Sequence, residues 1–245
     1  MVWAFRPERG GYAAKADDTE RSMIKGLASD VCTMLGVSVE HVLEERQGRE
    51  EARLEAEDFT EDPLALYAAE LADLELLEDR IARADGPRAD SEISIGGHAN
   101  DGKRIPMDEA IARLLTDMSE DPELARDLRN ITQDSVATAK IENLATFYAI
   151  LNSTDGRVWI SNDEVSAWLA ACNDIRLVLA ARLGIVDSRT AQDTYTRAAE
   201  LTGNGESGET PEIETTDDLL AVLYSLLSWW QESLLLAVGN KARRK

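Results

Sequence analysis

Apolar residues recur at steps of three and four along most of this chain, and that period predicts helices. The clearest case is Ser161 to Gly184, where Val165, Trp168, Leu169, Cys172, Ile175, Leu179 and Leu183 fall on one face. Asn162 or Asp163 is suited to cap its start, Arg182 to its last turn, and Gly184 to the left-handed residue that ends a helix. Asp17 and Glu20 form a capping-box pattern ahead of a stripe of Met23, Ile24, Leu27, Val31, Met34 and Leu35, closed by Gly36. Further helices are predicted from Asp62-Pro63 to about Arg83, from Met107 to Met118, over a short stretch opened by Asp121-Pro122, from Gln133 or Asp134 to Asn152, and from Ser188 to Leu201. The terminal stretch 217–238, DDLLAVLYSLLSWWQESLLLAV, is apolar around most of its circumference and predicts a helix that is buried or covers an interface.

Period-two alternation occurs only briefly. Trp3 and Phe5, then Tyr12 and Ala14, flank a Pro7 to Gly11 turn, so residues 2–16 read as a β-hairpin. An isolated hairpin is marginal in water, and Arg157-Val-Trp-Ile160 is the candidate third strand beside it. The expected fold class is mainly α: a multi-helix bundle in one domain over 1–245, with a small N-terminal hairpin joined by a short strand near 157–160. Three segments break the pattern. Residues 40–60 are densely charged and read as a solvated helix or excursion, 85–106 as a Gly/Pro-rich loop, and 203–216 as an acidic linker.

Composition narrows the function classes. The chain has 245 residues, enough for a proper core, with 44% hydrophobic but only 5% aromatic residues, so aliphatic side chains are expected to carry the packing. Asp and Glu number 47 against 26 Lys and Arg, a net charge of -21. A surface that acidic repels phosphate backbones, which argues against nucleic acid as a partner and for basic protein partners. The basic run Lys241 to Lys245 reads as a solubilising tail. Cys32 and Cys172 lie on apolar helix faces, where a free thiol acts as a small hydrophobe. No apolar stretch near Met1 resembles a signal peptide, and Glu232 inside the terminal helix is costly in hydrocarbon, so a cytoplasmic location without membrane insertion is expected.

Chemistry is thinly signposted. His41 and His98 are the only histidines and fall in segments read as surface, which weakens nucleophilic catalysis. There is no G-x-S-x-G elbow, no Gly-rich phosphate loop, no Cys-x-x-Cys pair and no Glu-x-x-His pair, so neither a cofactor nor a metal site is expected. The strongest polar candidates are Asn173, Asp174 and Arg176 in the middle of the 161–184 helix, with Arg182 two turns on. Asp174 and Arg176 are two apart and face different ways, so each seeks a partner on another helix. Lys140, Asn143, Gln231 and Glu232 are available, and an interhelical network fixing register is the favoured reading over a ligand pocket. In that network Arg176→Ala leaves Asp174 or Glu232 uncompensated.

The hairpin WAFRPERGGYAA, the run DLRNITQDSVATAKIENL, the N-D-x-R-L-x-L-x-x-R-L-G segment and the closing W-x-Q-E-S-L together resemble the bacterial domain-of-unknown-function family 2017. The matching positions include Arg129, Thr132, Lys140, Asn143, Asn173, Asp174, Arg176, Arg182, Gln231 and Glu232. The resemblance implies no catalytic roles. It implies genomic company with the adaptor of the Clp protease, hence a link to regulated proteolysis, and for some members a transcriptional-regulator label. Taken together, the sequence favours a non-enzymatic protein-interaction or regulatory module, able to form a homodimer through the 217–238 helix. The alternative is a small-molecule-binding protein or enzyme with a pocket around Asp174, Arg176, Gln231 and Glu232.

Overall fold

In a computed structural model of the chain, residues 2–58, 107–116, 118–152, 156–203 and 213–243 are described. The helix expected from Asp62 to Arg83, the loop at 85–106 and most of the 203–216 linker lie outside the described residues. The chain divides into two compact units, Met1–Val42 with Arg104–Lys245, and Leu43–Lys103. All that follows concerns the first, apart from the outer part of one helix.

The described elements follow the order β1 (Trp3–Glu8), β2 (Gly11–Lys15), α1 (Asp18–Met34), α2 (Val39–Asp58), α3 (Met107–Leu114), α4 (Pro122–Asn152), β3 (Arg157–Ser161), α5 (Val165–Arg182), α6 (Ser188–Leu201) and α7 (Thr216–Ala242). The fold is mainly helical. Its one described sheet is antiparallel, ordered β1-β2-β3, with Tyr12 opposite both Pro7 and Ile160. The third strand is the one anticipated, but the hairpin turn is tighter. Pro7 lies inside β1, and Arg9-Gly10 alone make the turn, with Gly10 at φ 82°. Pro7 fits because Phe5 and Pro7 turn their nitrogens to the outer side of an edge strand, where no ladder partner is needed.

Gly11 has a different constraint. A Cβ placed there would lie 2.1 Å from the backbone oxygen of Ile160, so β2 and β3 pair at this register only with glycine.

Caps explain the helix starts. Asp17 accepts from the Glu20 amide at 2.9 Å while Glu20 accepts from the Asp17 amide at 3.0 Å, the reciprocal pair expected for α1. The start of α5 differs from expectation. Neither Asn162 nor Asp163 caps it: the N-cap is Glu164, without a side-chain cap bond, and the turn leading into the helix is closed by Ser161 Oγ accepting from the Glu164 amide and Glu164 Oε2 from the Ser161 amide. Asn162 is diverted: its amide donates to Gly10 O and its side chain accepts from Lys241. The ends of α1 and α5 match, with Gly36 and Gly184 both left-handed.

Residues 122–152 form one helix instead of two. Asp121 accepts from the amides of Glu123 and Leu124, Pro122 occupies the first turn, and no Gly or Pro interrupts the following thirty positions. α2 is a helix whose buried residues among the described ones, Val39 and Val42, lie at its start, and the charged segment after them is helical.

α5 is central, packing on α1, α3, α4, α7 and β3. Its buried surface is wider than one stripe: Ala171, Val178 and Ala181 join Trp168, Cys172, Ile175 and Leu179. Aromatic residues, few as they are, occupy the middle of the core. Phe5, Phe147, Trp168 and Trp230 come from β1, α4, α5 and α7, with ring centroids 4.2 to 5.8 Å apart. Such a cluster concentrates burial where four elements meet.

α7 seals the outer edge of β1. Trp230 Nε1 donates to Trp3 O at 3.2 Å, Ser233 Oγ accepts from the Phe5 amide at 3.3 Å, and Lys241 Nζ donates to Glu8 O at 2.9 Å. From 230 to 241 a helix rises about 16 Å, and from 3 to 8 a strand rises about 17 Å, so the two run in step. Helix α7 is long and apolar enough to cross a bilayer. Those polar side chains tie it to a strand.

Candidate functional site

The polar residues in the middle of α5 point to two different neighbours. Positions 174 and 176 are about 200° apart around the helix, so Asp174 faces α4 and Arg176 faces α7. Lys140 Nζ donates to Asp174 Oδ1 at 2.5 Å; the Asp174 side chain is 3% exposed and that of Lys140 20%. Burial raises the Asp174 carboxyl above its ordinary value, and the ammonium of Lys140 offsets that only in part.

Arg176 is held by neutral groups. Its Nε donates to Ser228 Oγ at 2.8 Å and its Nη1 to Gln231 Oε1 at 2.7 Å, and its guanidinium lies 5.5 Å from the Tyr224 ring centroid. Both acceptors are oriented from behind. Ser228 donates its proton to Tyr224 O at 2.7 Å, and Gln231 Nε2 donates to Leu169 O at 3.2 Å. Each therefore presents a lone pair to the guanidinium. Tyr224 packs against Tyr195 of α6, and burial raises its phenol above the ordinary range.

The remaining candidates are dispersed. Asn143 sits one turn beyond Lys140 on α4, half buried, and Asn173 is exposed. Arg182 is exposed, its guanidinium 4.0 Å from Met34 Sδ. Arg129 is in α4, but its side chain lies outside the described ones. Glu232 is exposed on α7 and bonds to none of the described residues. The expectation that Arg176 compensates Asp174 or Glu232 within the chain is thus corrected: the helical angle sends Arg176 to Ser228 and Gln231, and its loss strands no carboxylate.

Two further polar centres escape sequence reasoning. Lys241 Nζ donates to Glu8 O, Gly11 O and Asn162 Oδ1 at 2.9, 3.0 and 2.9 Å and stands 4.5 Å from the Tyr12 ring centroid. It belongs to the last turn of α7, not to a free tail, and its place just after the apolar run was the available signal. At the other end of α7, Thr215 and Asp218 cap the helix reciprocally, and Arg197 of α6 bonds Asp218 through Nε at 2.6 Å. The bonds from Thr215, then those from Arg197, hold the Asp218 carboxyl below its ordinary value.

Cys32 and Cys172 are free and buried, and burial pushes the Cys32 thiol up to about 12 and the Cys172 thiol higher still. Among the described residues no three His, Cys, Asp or Glu side chains are grouped to hold a metal ion. A small hollow lies between the residues after α3 and the first half of α4, lined by Leu115, Met118, Thr132 and Val136, the last one turn before Lys140.

No curated protein and no solved structure matches this chain. The sequence profile described as a domain of unknown function, DUF2017, matches residues 3–238, a span that takes in the hairpin, the α4–α5 ion pair and the α5–α7 link. The chain belongs to that family.

Proposed function

We propose that this chain is a non-enzymatic protein-interaction module of the cytoplasm, and that the outer face of α7 is its contact surface. One observation carries the reading: α7 leaves Trp229, Leu235 and Leu236 exposed at 44%, 51% and 61%, on the helix whose other side holds β1 and α5. Large apolar groups gathered on one side of a helix mark a contact surface. Asp174, by contrast, is sealed and paired, and Gln231 is bonded at both ends of its amide. Those groups supply packing specificity and offer little to a substrate. The regulatory role near proteolysis that the family resemblance implies is part of the same proposal.

A photo-reactive amino acid at position 236, irradiated in a cell extract, tests this. Cross-linked protein that disappears when Trp229→Asp is added supports the proposal. A stoichiometric small molecule seen by native mass spectrometry, dependent on Arg176 and without protein cross-links, would establish the pocket reading instead.

A further inference from the structure

On the outer face of α7, Trp229, Glu232 and Leu236 follow one another at steps of three and four, with Leu235 alongside. Glu232 is thus an exposed carboxylate set among apolar side chains, with no bond to any described residue. Arg176 borders the same face, because Ser228 and Gln231, which hold it, lie next to Leu235 around the helix. It is a partly buried cation with only neutral partners among the described residues, in a chain with 47 acids and 26 bases. Of its five N–H donors, Ser228 and Gln231 take two and the Tyr224 phenol bonds to the same guanidinium, which leaves donors for a further partner.

We propose that the outer face of α7 is the interface of a two-fold dimer. A second copy of this chain lays its α7 antiparallel across the first, and Glu232 of each copy pairs with Arg176 of the other. This rests on the reading of that face as a contact surface and names its occupant. The argument for a second copy is charge self-complementarity. A two-fold contact is reciprocal, so Glu232 and Arg176, one anion and one cation bordering this face of each chain, close into two ion pairs around the Trp229, Leu235 and Leu236 centre. The guanidinium is already clamped by Ser228 and Gln231, so little side-chain freedom is lost on pairing. Elsewhere the two chains, each at -21, repel. That repulsion is long-ranged and fades as the screening length falls from about 30 Å at 10 mM salt to about 8 Å at 150 mM. The dimer therefore tightens over that range.

Sedimentation velocity on the full chain tests the proposal, with folding checked by circular dichroism. Wild type is expected to be a dimer that strengthens between about 10 and about 150 mM salt. Glu232→Arg, at an exposed position, sets two like-charged pairs in each dimer and weakens it roughly a hundredfold. Arg176→Glu does the same, and an equimolar mixture of the two variants forms a one-to-one heterodimer in which every contact is again Glu with Arg. If Arg176→Glu does not fold, Glu232→Arg and Trp229→Asp each dissociate the dimer on their own. A monomeric wild type at about 0.1 mM, dimerisation unchanged by Glu232→Arg, or a mixture of folded variants that stays monomeric would each overturn the proposal. A monomer that still cross-links another protein at position 236 refutes the dimer and leaves the contact surface standing.

Discussion

Replacing Lys241 by methionine keeps the length and apolar body of the side chain and removes three donors at once. Those donors reach Glu8 O, Gly11 O and Asn162 Oδ1 at 2.9 to 3.0 Å, joining the end of α7 to the hairpin and to the turn before α5. A hydrogen bond from a charged donor contributes about 1.5–3 kcal/mol when sheltered, so three in isolation would exceed 4 kcal/mol. The site is at the surface, however, where water replaces part of what is lost, and ordering a lysine side chain costs up to about 2 kcal/mol. The contact with Tyr12, at 4.5 Å, adds about 0.5–1 kcal/mol. The net expectation for Lys241→Met is a loss of about 2 kcal/mol, read from urea unfolding followed by tryptophan fluorescence. Hydrogen exchange should quicken at Gly10 to Tyr12 and Asn162 and stay unchanged in α6. Lys241→Arg sharpens the reasoning, because a planar guanidinium cannot direct three donors at a tripod of oxygens as a tetrahedral ammonium does. It should recover less than half of the loss. Full recovery with arginine, or a cost below about 0.5 kcal/mol for methionine, would show that charge or chain length matters there and the three bonds do not.

The α4–α5 ion pair should respond asymmetrically. Lys140→Met leaves a 3% exposed carboxylate uncompensated and costs about 3 kcal/mol in chemical denaturation at pH 7. Because burial raises the folded-state pKa of Asp174 above its unfolded value, the folded protein binds the proton more tightly, and this group's contribution to stability falls as pH rises through the raised pKa. Asp174→Asn, which has no such titration, therefore gains on wild type as pH rises from about 4 to 7; paired unfolding curves showing the opposite trend would contradict this. Gly11→Ala forces a Cβ to 2.1 Å from Ile160 O, between strands locked on both sides, and should cost about 3 kcal/mol in thermal unfolding. Neither Cys32 nor Cys172 should react with a thiol reagent in the native protein at pH 8, and both should react once it is unfolded in urea.

Sequence alone determined what depends on neighbours a few residues apart. The capping box at Asp17 and Glu20, the left-handed Gly36 and Gly184, the face of Ile175 and Leu179, and the three strands were all legible because caps and periodicity are local. The same locality misled where two local signals competed. Asp134 looked like a helix start, yet nothing between 123 and 152 breaks the helix; Asn162 looked like a cap, yet the helix starts after Glu164 and Ser161 and Glu164 close the turn before it. For the polar centre of α5, the helical period showed that Asp174 and Arg176 must part, and no spacing could say which helices they meet. Partner choice across 34 residues for Lys140 and Asp174, or 55 for Arg176 and Gln231, is set by packing, which alone brings distant side chains within hydrogen-bond reach. Lys241 shows this most plainly: among basic residues it reads as a tail, and only the matched rise of α7 and β1 brings its ammonium onto oxygens 230 and 233 positions away.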